Sequence, residues 1–193
     1  MNLKGLILFD IDGVIRDVSS SYRLALQKTV QKVCNWEPSF QDIDNLKTEG
    51  IWNNDWDASL ELIKRHIERN SLDIKCPSKK KVTEIFNDFY FGKHSTTNQS
   101  TWNGFIKNET LLVKYKLFNQ LTKQNIGWGF VSGAELPSAK FVLENQLGLK
   151  NPPLIAMGDA PDKPNPTGLI KLAKKILPNP LGMNSPTIAY LGD

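Results

Sequence analysis

A chain of 193 residues, 40% hydrophobic and 23% charged, can bury one sizeable core, or a core with a smaller inserted unit. The apolar runs are short, that over 5–9 stopping at Asp10, and none approaches the length of a membrane-spanning helix. The N-terminus lacks the regions of a secretory signal. The formal charge of +4 is scattered, and its one run, Lys79-Lys80-Lys81, reads as a solvated helix face rather than a nucleic-acid contact.

The first element is a strand over 6–9 that runs into Asp10-Ile11-Asp12-Gly13. Two acids two residues apart at a strand exit share one rim of a sheet, the rim where open α/β sheets bind ligands. Gly13 permits a sharp turn there. Residues 17–104 then change character, with helical patterns over 20–34, 40–49, 58–70 and 79–91 and a polar loop over 95–101. A helical block placed directly after the first strand reads as a separate cap. Within it, Trp52 and Trp56 flank Asn53-Asn54-Asp55 in an expected loop, serving either as a lid or as packing between helices.

A second strand over 126–131 ends in Ser132-Gly133 and leads to a helix over 137–147, closed by Gly148. A third strand covers 154–157. Asn165 then caps a helix over 166–177, with Pro166 at its first position and Pro178-Asn179-Pro180 stopping it. A fourth strand over 188–191 ends in Gly192-Asp193. Apolar runs of this kind suit strands buried on both faces of a parallel sheet. The expected fold is therefore α/β, a Rossmann-like parallel sheet over 1–17 and 105–193, with an all-helical insertion over 18–104.

Each strand end carries polar chemistry. Asp10 and Asp12 supply carboxylates. Ser132 and the Gly133 amide, at a helix start, suit phosphate oxygens, although a serine there also serves as a plain cap. Lys163 stands before Pro164-Asn165-Pro166, which restricts where its amine points. Gly127-Trp128-Gly129 lies within a strand and is no dinucleotide fingerprint. His66 and His94 have no partner pattern and read as surface or helix-packing residues. Cys34 and Cys76 are isolated and show no metal-ligand spacing, which suits a reducing compartment such as the cytoplasm.

These four strand ends in this order resemble the haloacid dehalogenase superfamily, in its branch with a helical cap between the first two motifs. The first motif matches 6–17, the second 130–133, the third Lys163-Pro164-Asn165-Pro166, and the fourth opens at Gly192-Asp193. The resemblance implies a phosphatase in which Asp10 is the nucleophile and Asp12 the general acid/base. Mg²⁺ is implied at Asp10, the Asp12 carbonyl and Asp193, with Ser132, Gly133 and Lys163 on the phosphoryl oxygens. The implied partner is a small phosphorylated metabolite, with neither nucleic acid nor membrane. In the family a further acid follows Gly-Asp, and more sheet comes after it. The resemblance therefore also implies a truncated core and a missing metal ligand. A phosphosugar mutase using the same two acids, and a phosphate-binding module without catalysis, stay open on these residues.

Overall fold

The computed structural model describes residues 3–93, 102–177 and 186–192. The chain divides into two compact units, Met1–Asp17 with Thr110–Asp193, and the intervening Val18–Glu109. The second division follows Glu109 rather than Gly104, because a single turn at Phe105–Asn108 packs on the helices of the intervening unit.

The first unit holds β1 (Gly5–Phe9), β4 (Ile126–Val131), β5 (Leu154–Ile155) and β6 (Thr187–Leu191) in one four-stranded sheet, in the order β5-β4-β1-β6. All three pairings are parallel, with Phe9 beside Phe130 on one side and Leu191 on the other. A short antiparallel ribbon joins β2 (Arg16–Asp17) to β3 (Thr110–Leu111). The two faces of β1 alternate as a pleated strand requires. Leu6 and Leu8 pack with Val131, Ile155 and Leu172, whereas Phe9 packs with Phe118, Phe130 and Val142. Helix α7 (Thr167–Ile176) covers the first of these faces. Helices α5 (Lys116–Lys123) and α6 (Leu136–Lys140), the latter continued by a wider π turn over Phe141–Gln146, supply the second.

Glycine on β4 has a packing reason. A Cβ on Gly129 would stand 3.0 Å from Ile176 Cδ1 and from Leu172 Cδ2, and one on Gly127 would stand 2.9 Å from Leu3 Cδ1. The small residues let α7 sit close on the sheet.

Some sequence expectations change. The third strand is only Leu154–Ile155, since Ala156 already turns, donating its N–H to Asp159 Oδ2 at 3.0 Å. Helix α7 starts at Thr167 rather than Pro166, with Asn165 Oδ1 accepting from Thr167 N at 3.0 Å. Strand β6 is not buried on both faces: Tyr190 is 40% and Leu191 43% exposed, because β6 is the last strand of the described sheet and α7 and α5 cover β4 and β1 instead.

The intervening unit is helical: α1 (Tyr22–Cys34), α2 (Phe40–Lys47), α3 (Asp55–Arg69) and α4 (Lys79–Tyr90). Helix α1 packs on α3 and α4, burying Leu26, Val30, Ile63 and Phe86. Ser39 and Asp42 form a capping box, and Asn54 and Ser78 cap α3 and α4. Buried Glu109 accepts from Ser21 Oγ at 2.8 Å and Tyr90 Oη at 2.9 Å, tying the two ends of the unit together. Asn54 starts α3 at Asp55, so Trp56 is helical and not in a loop. Trp52 Nε1 donates to Glu49 at 2.8 Å beneath the Arg65 guanidinium. His66 stacks on Trp36 with centroids 4.3 Å apart, and His94 lies outside the described residues. Among the described residues no helix is long and apolar enough to cross a membrane.

Candidate active site

The site is assembled at the carboxyl ends of the parallel strands. Asp10 leaves β1 with its N–H donated to Leu191 O at 2.8 Å, which sets the end of β6 beside it. Its carboxylate is almost fully buried and accepts from Ile11 N at 2.7 Å. The chain then turns tightly. Ile11 O accepts from the N–H groups of Ile15 (2.8 Å) and Arg16 (3.1 Å), and Gly13 N donates to Arg16 O at 2.9 Å. Gly13 adopts φ +73° here, the left-handed conformation that glycine takes without strain.

This turn folds Arg16 back over Asp12. Arg16 Nε donates to Asp12 Oδ1 at 2.6 Å, and its Nη2 to Ser138 Oγ at 3.0 Å. Arg16 has no solvent exposure, whereas the Asp12 side chain is 29% exposed.

On β4, the register with β1 puts Ser132 at the same rim as Asp10. Ser132 is buried, its N–H donates to Ile155 O, and its Oγ accepts from Ala134 N at 3.0 Å. Gly133 follows with open space where a Cβ would stand. From the loop after β5, Lys163 Nζ forms an ion pair with Asp10 Oδ2. The same Nζ donates to Tyr190 Oη at 3.1 Å, and Tyr190 Oη lies 3.3 Å from Asp10 Oδ2.

Burial alone would push the Lys163 amine down, but hydrogen bonds to Asp10 and Tyr190, with their charges, together outweigh it and hold the amine above its ordinary value. Burial pushes the Tyr190 phenol up, and the Asp10 carboxylate adds to this against the opposing pull of Lys163. Burial also raises the carboxyl of Glu135, three residues beyond Ser132.

Of the residues expected from sequence, Asp10 and Lys163 are in contact and the Ser132–Gly133 turn stands at the neighbouring strand end. Asp12 is turned onto Arg16, and Asp193 lies outside the described residues. Sequence reading missed Tyr190, Arg16 and Ser138. A buried arginine two residues after Gly13-Val14 was a visible signal, since a charge in an apolar stretch needs a partner.

The implied Mg²⁺ calls for hard oxygen donors. Among the described residues no group of three or more His, Cys, Asp or Glu could hold a metal by itself. The buried carboxylate of Asp10 fits a hard divalent cation in kind, as one member of a donor set.

No family profile matches the sequence. The structure resembles a phosphatase from Thermococcus thioreducens, with TM-score 0.69 and 20% identity over 97% of this chain and 92% of that one. It also resembles a protein from Bacteroides fragilis described as a haloacid dehalogenase-like hydrolase, with TM-score 0.63 and 18% identity over 100% and 79% of the two chains. The chain thus has the haloacid dehalogenase fold: a parallel α/β sheet carrying a helical unit inserted after its first strand. Among curated sequences, an imidazoleglycerol-phosphate dehydratase from Phytophthora nicotianae is 32% identical over 173 residues, 89% of this chain. The chain spans only 36% of that protein's length.

Proposed function

We propose that the chain is a subfamily IA-type member of the haloacid dehalogenase superfamily that hydrolyses a small phosphomonoester. The observation that carries this reading is the buried Asp10 carboxylate, ion-paired with Lys163 at the strand end next to the Ser132–Gly133 turn.

A phosphomonoester dianion would meet repulsion from a bare carboxylate. Lys163 offsets that repulsion, and it remains protonated through the neutral range because its amine is held above the ordinary value. An Asp10 oxygen attacks phosphorus as the ester P–O bond breaks, leaving an aspartyl-phosphate. Asp12 gives a proton to the departing alcohol oxygen and later takes one from the water that splits the aspartyl-phosphate. Ser132, the Gly133 amide and Lys163 bind the remaining phosphoryl oxygens. Mg²⁺, held by Asp10, the Asp12 carbonyl and Asp193, would supply neutralisation of negative charge at the transferring group. The helical unit takes the role of substrate-selecting cap.

The test is a screen of phosphorylated metabolites for phosphate release with and without Mg²⁺, with isomer formation followed for sugar phosphates. Beryllium fluoride binding should occur with Mg²⁺ and vanish in Asp10→Asn. Phosphate release that persists in Asp10→Asn would defeat the proposal, and isomer formation without phosphate release would convert it to a mutase.

A further inference from the structure

We infer that Arg16 is a positioning residue for Asp12. It fixes one carboxylate oxygen by an ion pair and ties it through Ser138 to the helix that follows the Ser132 turn. The inference rests on the reading of Asp12 as the acid/base and names a residue on which that reading depends.

Arginine keeps its charge at every accessible pH, and Arg16 has no solvent exposure. A guanidinium taken fully out of water must be met by oxygen acceptors, or its burial is strongly unfavourable. Asp12 Oδ1, at 2.6 Å from Nε, lies in the short range of a charge-assisted hydrogen bond. The pair does not arise from helical spacing. It arises from the closed turn at 11–16, in which Ile11 O gathers the N–H groups of Ile15 and Arg16 while Gly13 N returns to Arg16 O. With both ends of the turn bonded, the Arg16 side chain has a defined origin close to Asp12.

The other end of the guanidinium extends the link. Nη2 donates to Ser138 Oγ at 3.0 Å, and Ser138 is itself buried in α6. Helix α6 begins at Leu136, just beyond the Ser132–Gly133 turn. One buried cation therefore joins the loop that carries the acid/base to the helix behind the phosphoryl-binding turn. Proton exchange in the proposed reaction falls to Asp12 Oδ2, because Oδ1 is held by Arg16. In the first half-reaction the proton on Oδ2 passes to the alcohol oxygen as its bond to phosphorus breaks and the Asp10–phosphorus bond forms. In the second, Oδ2 takes a proton from water as oxygen joins phosphorus and the Asp10–phosphorus bond breaks. An Asp12 that loses this anchor keeps its chemistry and loses its aim.

The experiment compares two esters, an alkyl phosphate, whose leaving oxygen needs a proton, and p-nitrophenyl phosphate, whose leaving group does not. Arg16→Gln should lower kcat on the alkyl ester by about ten- to a hundredfold, with KM changed by no more than about twofold. In the half-reaction that forms the aspartyl-phosphate, read by single-turnover kinetics, the loss on the nitrophenyl ester should be clearly smaller than on the alkyl ester, and Arg16→Gln should cost nothing further in an Asp12→Asn background. Arg16→Lys should restore part of kcat. Ser138→Ala, which leaves Arg16 in place, should show the same pattern at a few-fold and decides the matter if Arg16→Gln does not fold. A loss equal on both esters in the aspartyl-phosphate-forming half-reaction, or one lying in KM, or one that adds in full to that of Asp12→Asn, would overturn the positioning role alone. Absence of turnover in the wild-type protein would remove the hydrolase reading itself.

Discussion

Tyr190 accepts a hydrogen bond from Lys163 Nζ at 3.1 Å while its own oxygen lies 3.3 Å from Asp10 Oδ2. The phenol thus bridges a cation and an anion that are already paired. Its hydroxyl keeps its proton at neutral pH, since burial and the Asp10 charge raise it against the pull of Lys163, so it can receive from the amine and give to the carboxylate. Tyr190→Phe removes both bonds and keeps the ring. A net hydrogen bond of about 1 kcal/mol predicts a fall in kcat/KM of roughly three- to tenfold, read by steady-state kinetics on the best ester of the screen. Unchanged kinetics would show that the amine is held without the phenol.

Lys163→Met keeps most of the apolar stem and removes the charge. Loss of a single electrostatic donor in a catalytic site typically costs about a hundredfold or more in kcat, and that is the expectation here. The pH dependence of stability follows from the direction of the shift. A lysine raised in the folded protein contributes fully below its unfolded value, near 10.4, and loses that contribution as pH rises through the higher folded value. The difference in unfolding midpoint between wild type and Lys163→Met should therefore hold constant from pH 6 to about 10 and shrink only above it. A difference that fades between pH 6 and 8 would mean the amine is not raised.

The strand-end placement of Asp10, Ser132 and Lys163 was legible because each residue is flagged locally: an apolar run before Asp10, a strand and helix around Ser132, prolines after Lys163. Tyr190 carried no such flag. It stands 180 residues from Asp10 and 27 from Lys163, and it reaches them only because β6 pairs with β1. Strand order is a global property that an apolar tetrapeptide does not encode, and for the same reason the exposure of β6 was missed. Arg16 directly follows the apolar pair Val14-Ile15, which signals that it needs a partner, yet helical and strand periodicities do not describe a closed turn, so the sequence did not show that this partner is Asp12. The start of α3 at Asp55 was legible in principle from Asn54, a capping residue, but the surrounding Trp and Asn residues read as a loop.

Two glycines of the core unit should respond differently to the same added methyl. At Gly129 a Cβ would press on Ile176 and Leu172 at 3.0 Å and on Pro153 O at 3.2 Å. Gly129→Ala should cost about 1–3 kcal/mol through overpacking. At Gly133 nothing lies within 4 Å, so Gly133→Ala should stay within about 0.5 kcal/mol of wild type. Urea unfolding measures both. Equal effects would mean that α7 does not pack on β4 as the structure has it.

The helical unit offers a test that needs no activity. Glu49 receives both outer guanidinium nitrogens of Arg65, at 2.5 and 2.8 Å, together with Trp52 Nε1 at 2.8 Å. These bonds, that to Arg65 first, lower the Glu49 carboxyl to about 2. A carboxylate depressed in the folded state contributes stability above its unfolded value, near 4.3, and loses it as pH falls through the folded value of about 2. Glu49→Gln should therefore lower the thermal midpoint at pH 6, and the gap from wild type should narrow between pH 4 and pH 2. The group is solvent-exposed, so the gap should also shrink in 1 M salt, where charges are screened within roughly 3 Å. A gap that persists unchanged at pH 2 would assign the effect to the shape of the side chain rather than to its charge, and the Arg65–Glu49–Trp52 cluster would then be packing alone.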